Sequence, residues 1–383
     1  MARRLKNRVS RLLHRLGASA CTRPRVDEPV TVQVPEPKPV PVSTPEVADE
    51  TARAPDTFII PDLVSHCDFS IHCNPKVETA VEESKAWLFE HGQLGEKRKN
   101  AFRGLKAGEL TSMCYPYAEF EQLRVCCDFM NYLFHLDDLS DDMTHLGTRS
   151  VADDVMNTLY CPNTYKSDTR VSTLTRDYWK RLIKDGSPGA QQRFMSTMDL
   201  FFQAITIQAK DRRDGVVPDL DSYIAVRRDT SGCKPCWALI EYANGLDIPG
   251  EVMEHPVVEA LGEAANDLVT WSNDIFSYNR EQAKGDTHNM IVILMKHRGL
   301  GLQSSVDYVG DMCKSSIDRF IVERGRLPSW GPEIDEQVKI YVDGLADWIV
   351  GSLHWSFDSE RYFGKLGSQV KATRRVTLYP RAA

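Results

Sequence analysis

Nowhere in the 383 residues is there an apolar run long enough to span a bilayer, and the N-terminus lacks the short apolar core of a secretory signal peptide. Neither a spanning helix nor a secretory leader is therefore expected. Also missing is any stretch of period-two alternation long enough for a sheet, and any internal repeat. Cysteine is present ten times, but not as a framework: the residues are scattered and include the vicinal Cys126-Cys127. Without a secretory leader this pattern suits reduced thiols and a cytoplasmic setting. Cys233-Lys-Pro-Cys236 has the spacing of half a zinc site, but no second pair follows at the usual distance, so ordinary buried thiols are expected there. Acidic residues are absent from the first 26 positions, which hold eight Arg or Lys; with a net charge of −7 overall, the remainder carries about −15. So acidic a body argues against non-specific nucleic-acid binding, which needs cations spread over a surface.

What the chain does have is organised in three parts. Residues 1–57 combine a basic amphipathic stretch with a linker and are expected to be mostly disordered. Leu5, Val9, Leu12, Leu13 and Leu16 fall on one helical face among six basic residues, a pattern shared by targeting peptides, membrane-surface helices and plain basic tails. Prolines at 29, 35, 37, 39, 41, 45 and 55 mark the linker, which cannot bury apolar surface. Residues 58–366 should form the folded domain, and 367–383 a basic C-terminal tail. Within the domain, helical periodicity is read over 77–90, 119–138, 191–210, 257–286, 308–323 and 336–356, with Pro and Gly clustered between. The expected fold class is all-α, a single helical bundle.

Two stretches carry chemistry. In Asn131-Tyr-Leu-Phe-His-Leu-Asp137-Asp138-Leu-Ser-Asp141-Asp142 an apolar run leads into four carboxylates. On a helix Asp137 and Asp141 share a face, with Asp138 beside them. Such a cluster repels itself unless a hard cation lies within it, and oxygen ligands of this kind suit Mg2+, which accepts one or two carboxylates plus phosphate oxygens and water. The competing reading is a solvated, Asp-rich helix end. Downstream, Trp271-Ser-Asn273-Asp274-Ile-Phe-Ser277-Tyr-Asn-Arg280-Glu281 places an amide, a hydroxyl and a carboxylate at i, i+4 and i+8, on one helix face. By itself it could be a polar helix face; paired with the first set, it reads as a second ligand set.

With these residues in hand the sequence resembles the class I terpene synthases, specifically the fungal, basidiomycete-type sesquiterpene cyclases. Asp137-Asp138-x-x-Asp141 matches the family's aspartate-rich motif, and Asn273-Asp-x-x-Ser277-x-x-x-Glu281 its second metal motif. Arg227-Arg228-Asp-Thr-Ser231-Gly232, 46 residues before Asn273, lies where the family carries a diphosphate-sensing arginine. Arg361-Tyr362 stands where it carries a C-terminal Arg-Tyr pair. The resemblance runs from about Phe58 to Gly364 and rests on four motifs in the family's order.

The resemblance implies a carbon–oxygen lyase: Mg2+-dependent ionisation of farnesyl diphosphate, cyclisation of the carbocation, and release of diphosphate. It implies about three Mg2+ ions, held by Asp137, Asp138 and Asp141 on one wall and by Asn273, Ser277 and Glu281 on the other. Arg227, or Arg228 beside it, would sense diphosphate, with Arg280, Arg361 and Tyr362 as further contacts. Phe134 and Trp355 would line a dry pocket and stabilise passing positive charge, Phe69 and Trp271 being weaker candidates, although aromatics at helical spacing commonly only fill cores. Ser231-Gly232 would supply a helix break after the sensor. The Leu139-Ser140 pair resembles cyclases that begin with 1,11 closure, as in protoilludene formation. Geranyl or geranylgeranyl diphosphate remains an alternative substrate, a homodimer an alternative to a monomer, and a non-catalytic helical binding protein an alternative of another class. A chain-elongating prenyl transferase would show two aspartate-rich motifs, and only one is present.

Overall fold

The computed structural model describes residues 57–142 and 145–381, with the side chains of 140–146 outside the description; the amphipathic stretch and most of the linker lie outside it too. Among the described residues the fold is helical apart from two three-residue strands. In chain order, β1 is Thr57–Ile59, followed by α1 Val77–His91, α2 Glu96–Leu105, α3 Ala107–Cys114 and α4 Phe120–Asp142. Then come α5 His145–Tyr160, α6 Arg170–Asp185, α7 Pro188–Asp214, α8 Leu220–Thr230, α9 Cys233–Ala243 and α10 Gly250–Met253. The last third holds α11 Pro256–Lys284, α12 Met290–Arg298, α13 Leu302–Arg324, α14 Pro332–Asp358, α15 Glu360–Phe363, α16 Gly367–Thr373 and β2 Arg375–Thr377.

The punctuation read from sequence sets these boundaries physically. Ser187 caps α7 by accepting from the Ala190 amide, Pro188 occupies the first turn, and Gly215 closes the helix at φ +65°. His255, Pro256 and Gly285 bracket α11 in the same manner. Each expected helix is present, and most run a few residues longer than read. α9 gave no periodic signal because it is buried on nearly every side, so its polar face is missing rather than its helix.

α11 packs along α13 and α14, α4 lies against α1, α3 and α6, and α7 lies against α5, α8 and α9. This brings the acidic end of α4 and the polar face of α11 into one bundle. Residues 367–381 depart from the expected tail. α16 and β2 belong to the compact unit that starts at Ala54, and β2 pairs antiparallel with β1, Phe58 opposite Val376. The reason is side-chain bonding from α11: Asn279 Nδ2 donates to the Thr377 carbonyl (2.8 Å) and Gln282 Nε2 to that of Tyr379 (2.9 Å). No described helix is long and apolar enough to cross a membrane.

Candidate active site

α4 is 23 residues long, so the aspartate motif lies inside its last two turns rather than beyond its end. Leu123, Cys126, Cys127, Met130 and Leu133 bury the helix in the core, which fixes where Phe134 and Asp137 emerge. Asp137 is half exposed, and its Oδ2 accepts from Arg361 Nη2 at 3.0 Å. The Arg361 guanidinium stacks on Phe134, 4.9 Å from its ring centroid, and lies 5.9 Å from the ring of Tyr362. Phe134 and Trp355 have centroids 5.7 Å apart, and Trp355 meets Tyr362 edge-on at 5.8 Å. Trp355 is fixed from behind, its Nε1 donating to the Leu105 and Lys106 carbonyls at 2.9 and 3.0 Å. The two aromatics singled out in the sequence thus stand together beside the first motif. Phe69 instead packs on Phe320 of α13, and Trp271, two residues before Asn273, points away from the motif face. Asp138 is partly buried, and the side chain of Asp141 lies outside the described residues.

The facing wall is α11. Asn273 Nδ2 donates to Tyr362 Oη at 2.6 Å, and its Oδ1 accepts from Arg227 Nη2 at 2.9 Å. Arg227 also grips Asp274 Oδ1 through Nε and Nη2, at 3.1 and 3.0 Å. Asp274 is 2% exposed; its Oδ2 accepts from Tyr223 Oη at 2.5 Å and from the Met290 amide at 3.0 Å. Arg228 turns elsewhere, its Nε and Nη2 binding Asp267 at 2.7 and 2.8 Å and its Nη1 meeting Glu263 at 3.0 Å. Of the two adjacent arginines, therefore, only Arg227 reaches the second motif. Arg280 donates to the main-chain carbonyl of Arg361, so it steadies the Arg-Tyr pair from α11.

The two motifs converge through adjacent residues, Arg361 holding Asp137 and Tyr362 holding Asn273. The donor set fits a hard divalent cation. Ser277 Oγ is buried without a well-formed hydrogen bond, although it lies close enough to the Glu281 carboxyl to favour its charged form. The Glu281 carboxyl is pushed up to about 7, first by burial and then by the Asp274 charge, against opposing interactions with Asn289 and Ser277. A buried hydroxyl poorly satisfied by the protein and a carboxylate short of positive charge, one turn apart, are what a ligand face presents to a cation. Among the described residues no three His, Cys, Asp or Glu side chains cluster tightly enough to hold an ion by themselves. Here an amide and a hydroxyl complete the set, as Mg2+ bound largely by phosphate and water requires.

Asp274, Tyr223 and Asn289 escaped the sequence reading. Asp274 directly follows Asn273, and Tyr223 precedes Arg227 by one helical turn, so both had a positional signal; Asn289 lies across a turn of chain and had none.

His135 has a consequence for stability. It is buried two residues before Asp137 with Nδ1 unpartnered, and its pKa is pushed down to about 4, by burial first and then by Arg98 and Arg170. An unfolded histidine titrates near 6.5, so the unfolded chain takes up a proton that the fold refuses. The stability advantage is complete above about pH 6.5 and is lost as pH falls toward 4, at about 1.4 kcal/mol per unit. In urea denaturation, wild type should therefore lose stability relative to His135→Gln between pH 7 and 5; a constant difference across that range would contradict the assignment.

Comparison with known proteins accords with this geometry. The family model described as terpene synthase family 2, C-terminal metal binding, matches residues 128–319. Sesquiterpene synthase 1 of Postia placenta (strain ATCC 44394 / Madison 698-R) is 64% identical over 333 residues, 87% of this chain and 98% of that protein. An alpha-muurolene synthase of Coprinopsis cinerea is 54% identical over 345 residues, 88% of this chain and 81% of that protein. Among solved structures, germacradien-4-ol synthase from Streptomyces citricolor superposes with a TM-score of 0.68 at 24% identity, covering 78% of this chain and 97% of that one, a likeness of fold.

Proposed function

The chain belongs to terpene synthase family 2, among the fungal sesquiterpene synthases, and on that premise we propose that it ionises farnesyl diphosphate and cyclises the resulting carbocation at the site between α4 and α11. The observation that carries this reading is the continuous link from Asp137 through Arg361 and Tyr362 to Asn273 and Arg227. Asp137, Asp138 and Asp141 would hold Mg2+ from one side and Asn273, Ser277 and Glu281 from the other, three ions in all. Bound there, Mg2+ supplies Lewis acidity that offsets the charge growing on the departing diphosphate.

The remaining work belongs to the protein's own groups. Arg361 and Arg227 now bind oxygens of the ligand residues themselves. A diphosphate gives each guanidinium a more highly charged acceptor in the same place, which frees Asp137 and Asn273 for cations. Substrate entry and ligand release are then one exchange. Arg227, Arg361 and Tyr362 contact the leaving group, with Arg280 holding the Arg361 backbone behind them. Phe134, Trp355 and Tyr362 offer π faces to the cation beside a site that must exclude water. Trp355 and Tyr362 are pinned by hydrogen bonds, so those faces are pre-positioned.

The non-catalytic alternative is disfavoured by Ser277 and Glu281, because a binding scaffold gains nothing from burying a poorly satisfied hydroxyl beside a carboxylate that lacks a cationic partner. The substrate choice draws support from the sesquiterpene synthase relatives over geranyl and geranylgeranyl diphosphate. Incubation with each of the three diphosphates and Mg2+, read by diphosphate release and gas chromatography, is the test. Farnesyl diphosphate should give a C15 hydrocarbon or alcohol, and its skeleton reports whether ring closure is 1,11. Absence of diphosphate release from all three would end the proposal.

A further inference from the structure

The ligand face of α11 continues toward its N-terminus. Asn266, Thr270, Asn273, Ser277 and Glu281 follow one another at steps of three or four and share one side of a single 29-residue helix. Asn266 is 1% exposed and faces the point where α8 gives way to α9. Its Nδ2 donates to the Arg228 carbonyl at 2.8 Å. Because a carbonyl only accepts, that bond sets the orientation of the amide, leaving Oδ1 to accept from Ser231 Oγ and Thr270 Oγ1, both at 2.9 Å. Ser231 Oγ in turn accepts from the Cys233 amide at 3.1 Å, at the start of α9. Gly232 makes the break itself at φ +70°, and a Cβ there would stand 2.9 Å from Leu133 Cδ2 on α4. The break is therefore wedged between α4, one residue before Phe134, and Asn266 of α11. Arg227 sits one turn ahead of it on Asn273 and Asp274.

We propose that Asn266 is a positioning residue for ionisation: it ties the α8–α9 break to the metal-bearing face of α11, so that Arg227 and the break reach the diphosphate in register with the cations. Asn266 touches no reacting atom. It acts through the Arg228 carbonyl and Ser231, and α11 transmits any adjustment at Asn273 to it because a packed helix moves as a unit. The inference rests on the function proposed above.

The test compares wild type, Asn266→Ala, Asn266→Asp, Ser231→Ala and the Ala/Ala double variant with farnesyl diphosphate and Mg2+. Asn266→Ala should lower kcat for diphosphate release about tenfold or more, leave the half-saturating Mg2+ concentration within about twofold, and raise the share of uncyclised products. Asn266→Asp keeps the acceptor for Ser231 and Thr270 but loses the donor, and should fall between. Ser231→Ala should show the same signature more weakly, and the double variant should be no worse than Asn266→Ala, since both changes cut one link. The proposal is overturned if folded Asn266→Ala keeps kcat within twofold, if its Mg2+ requirement rises in step with the loss of kcat, or if the two changes are additive. Should circular dichroism show Asn266→Ala unfolded, Ser231→Ala decides alone, and an unchanged kcat there overturns it. A wild-type protein that releases no diphosphate would instead sink the proposed function.

Discussion

Asp137→Ala is expected to lower turnover of farnesyl diphosphate by about 10²- to 10³-fold, the loss typical of removing one preorganised electrostatic group from a developing charge. The fold should be almost unaffected. Asp137 is half exposed, so solvent screens its pairing with the partly buried Arg361 and the pair contributes only about 1 kcal/mol. Arg361 also keeps its stacking on Phe134 when the carboxylate is gone. Asp137→Asn separates two roles. The amide still offers Arg361 an acceptor but has lost the charge a cation needs, so its turnover should fall nearly as far. Diphosphate release and thermal melting, measured side by side, check this. Turnover within a few-fold of wild type in Asp137→Ala would remove it from the ligand set, and recovery in Asp137→Asn would make it a tether for Arg361 instead.

Arg227→Ala should damage both catalysis and stability, and that combination separates it from its neighbour. Asp274 is almost fully buried, and Arg227 is its cationic partner. Removing one member of such a pair leaves a buried charge uncompensated, at about 3–5 kcal/mol. Tyr223 and the Met290 amide still donate to Asp274, which places the loss toward the lower end. Turnover should fall about 10²-fold or more. Adding Asp274→Asn should restore much of the stability and none of the turnover, because the second change removes the stranded charge without replacing the guanidinium. Arg228→Ala should behave differently: Asp267 retains Arg319 at 2.6 Å, so the stability loss is smaller and turnover stays within about tenfold. Urea denaturation and diphosphate release on wild type and the three variants decide the matter. Equal kinetic losses in Arg227→Ala and Arg228→Ala would contradict the division of labour between them.

The division between Arg227 and Arg228 also marks the boundary of what sequence can say. Adjacent residues on a helix point about 100° apart, so the pair meets α11 at different places, Arg227 at the motif and Arg228 at Asp267 and Glu263 nearer its N-terminus. Which one meets the motif depends on how α8 is rotated against α11, and that rotation is set by contacts such as Tyr223 with Asp274 and Arg228 with Asp267. The bond from Arg280 to the Arg361 backbone depends on rotation in the same way, and its position in the motif does not announce it.

By itself the sequence determined the helical class and the order and spacing of the two polar motifs, because these depend on residue type at spacings of three and four along single helices. The residues from 77 to 90 and from 257 to 286 announced themselves through local periodicity alone. Only the tertiary structure decided which side chains meet: Arg361 with Asp137 across 224 positions, Trp355 with Leu105 across 250, and Asn279 with the strand that closes the chain. Such contacts follow from packing, where burial of many weakly directional apolar surfaces fixes the helix axes and rotations collectively. No local pattern of residues encodes them.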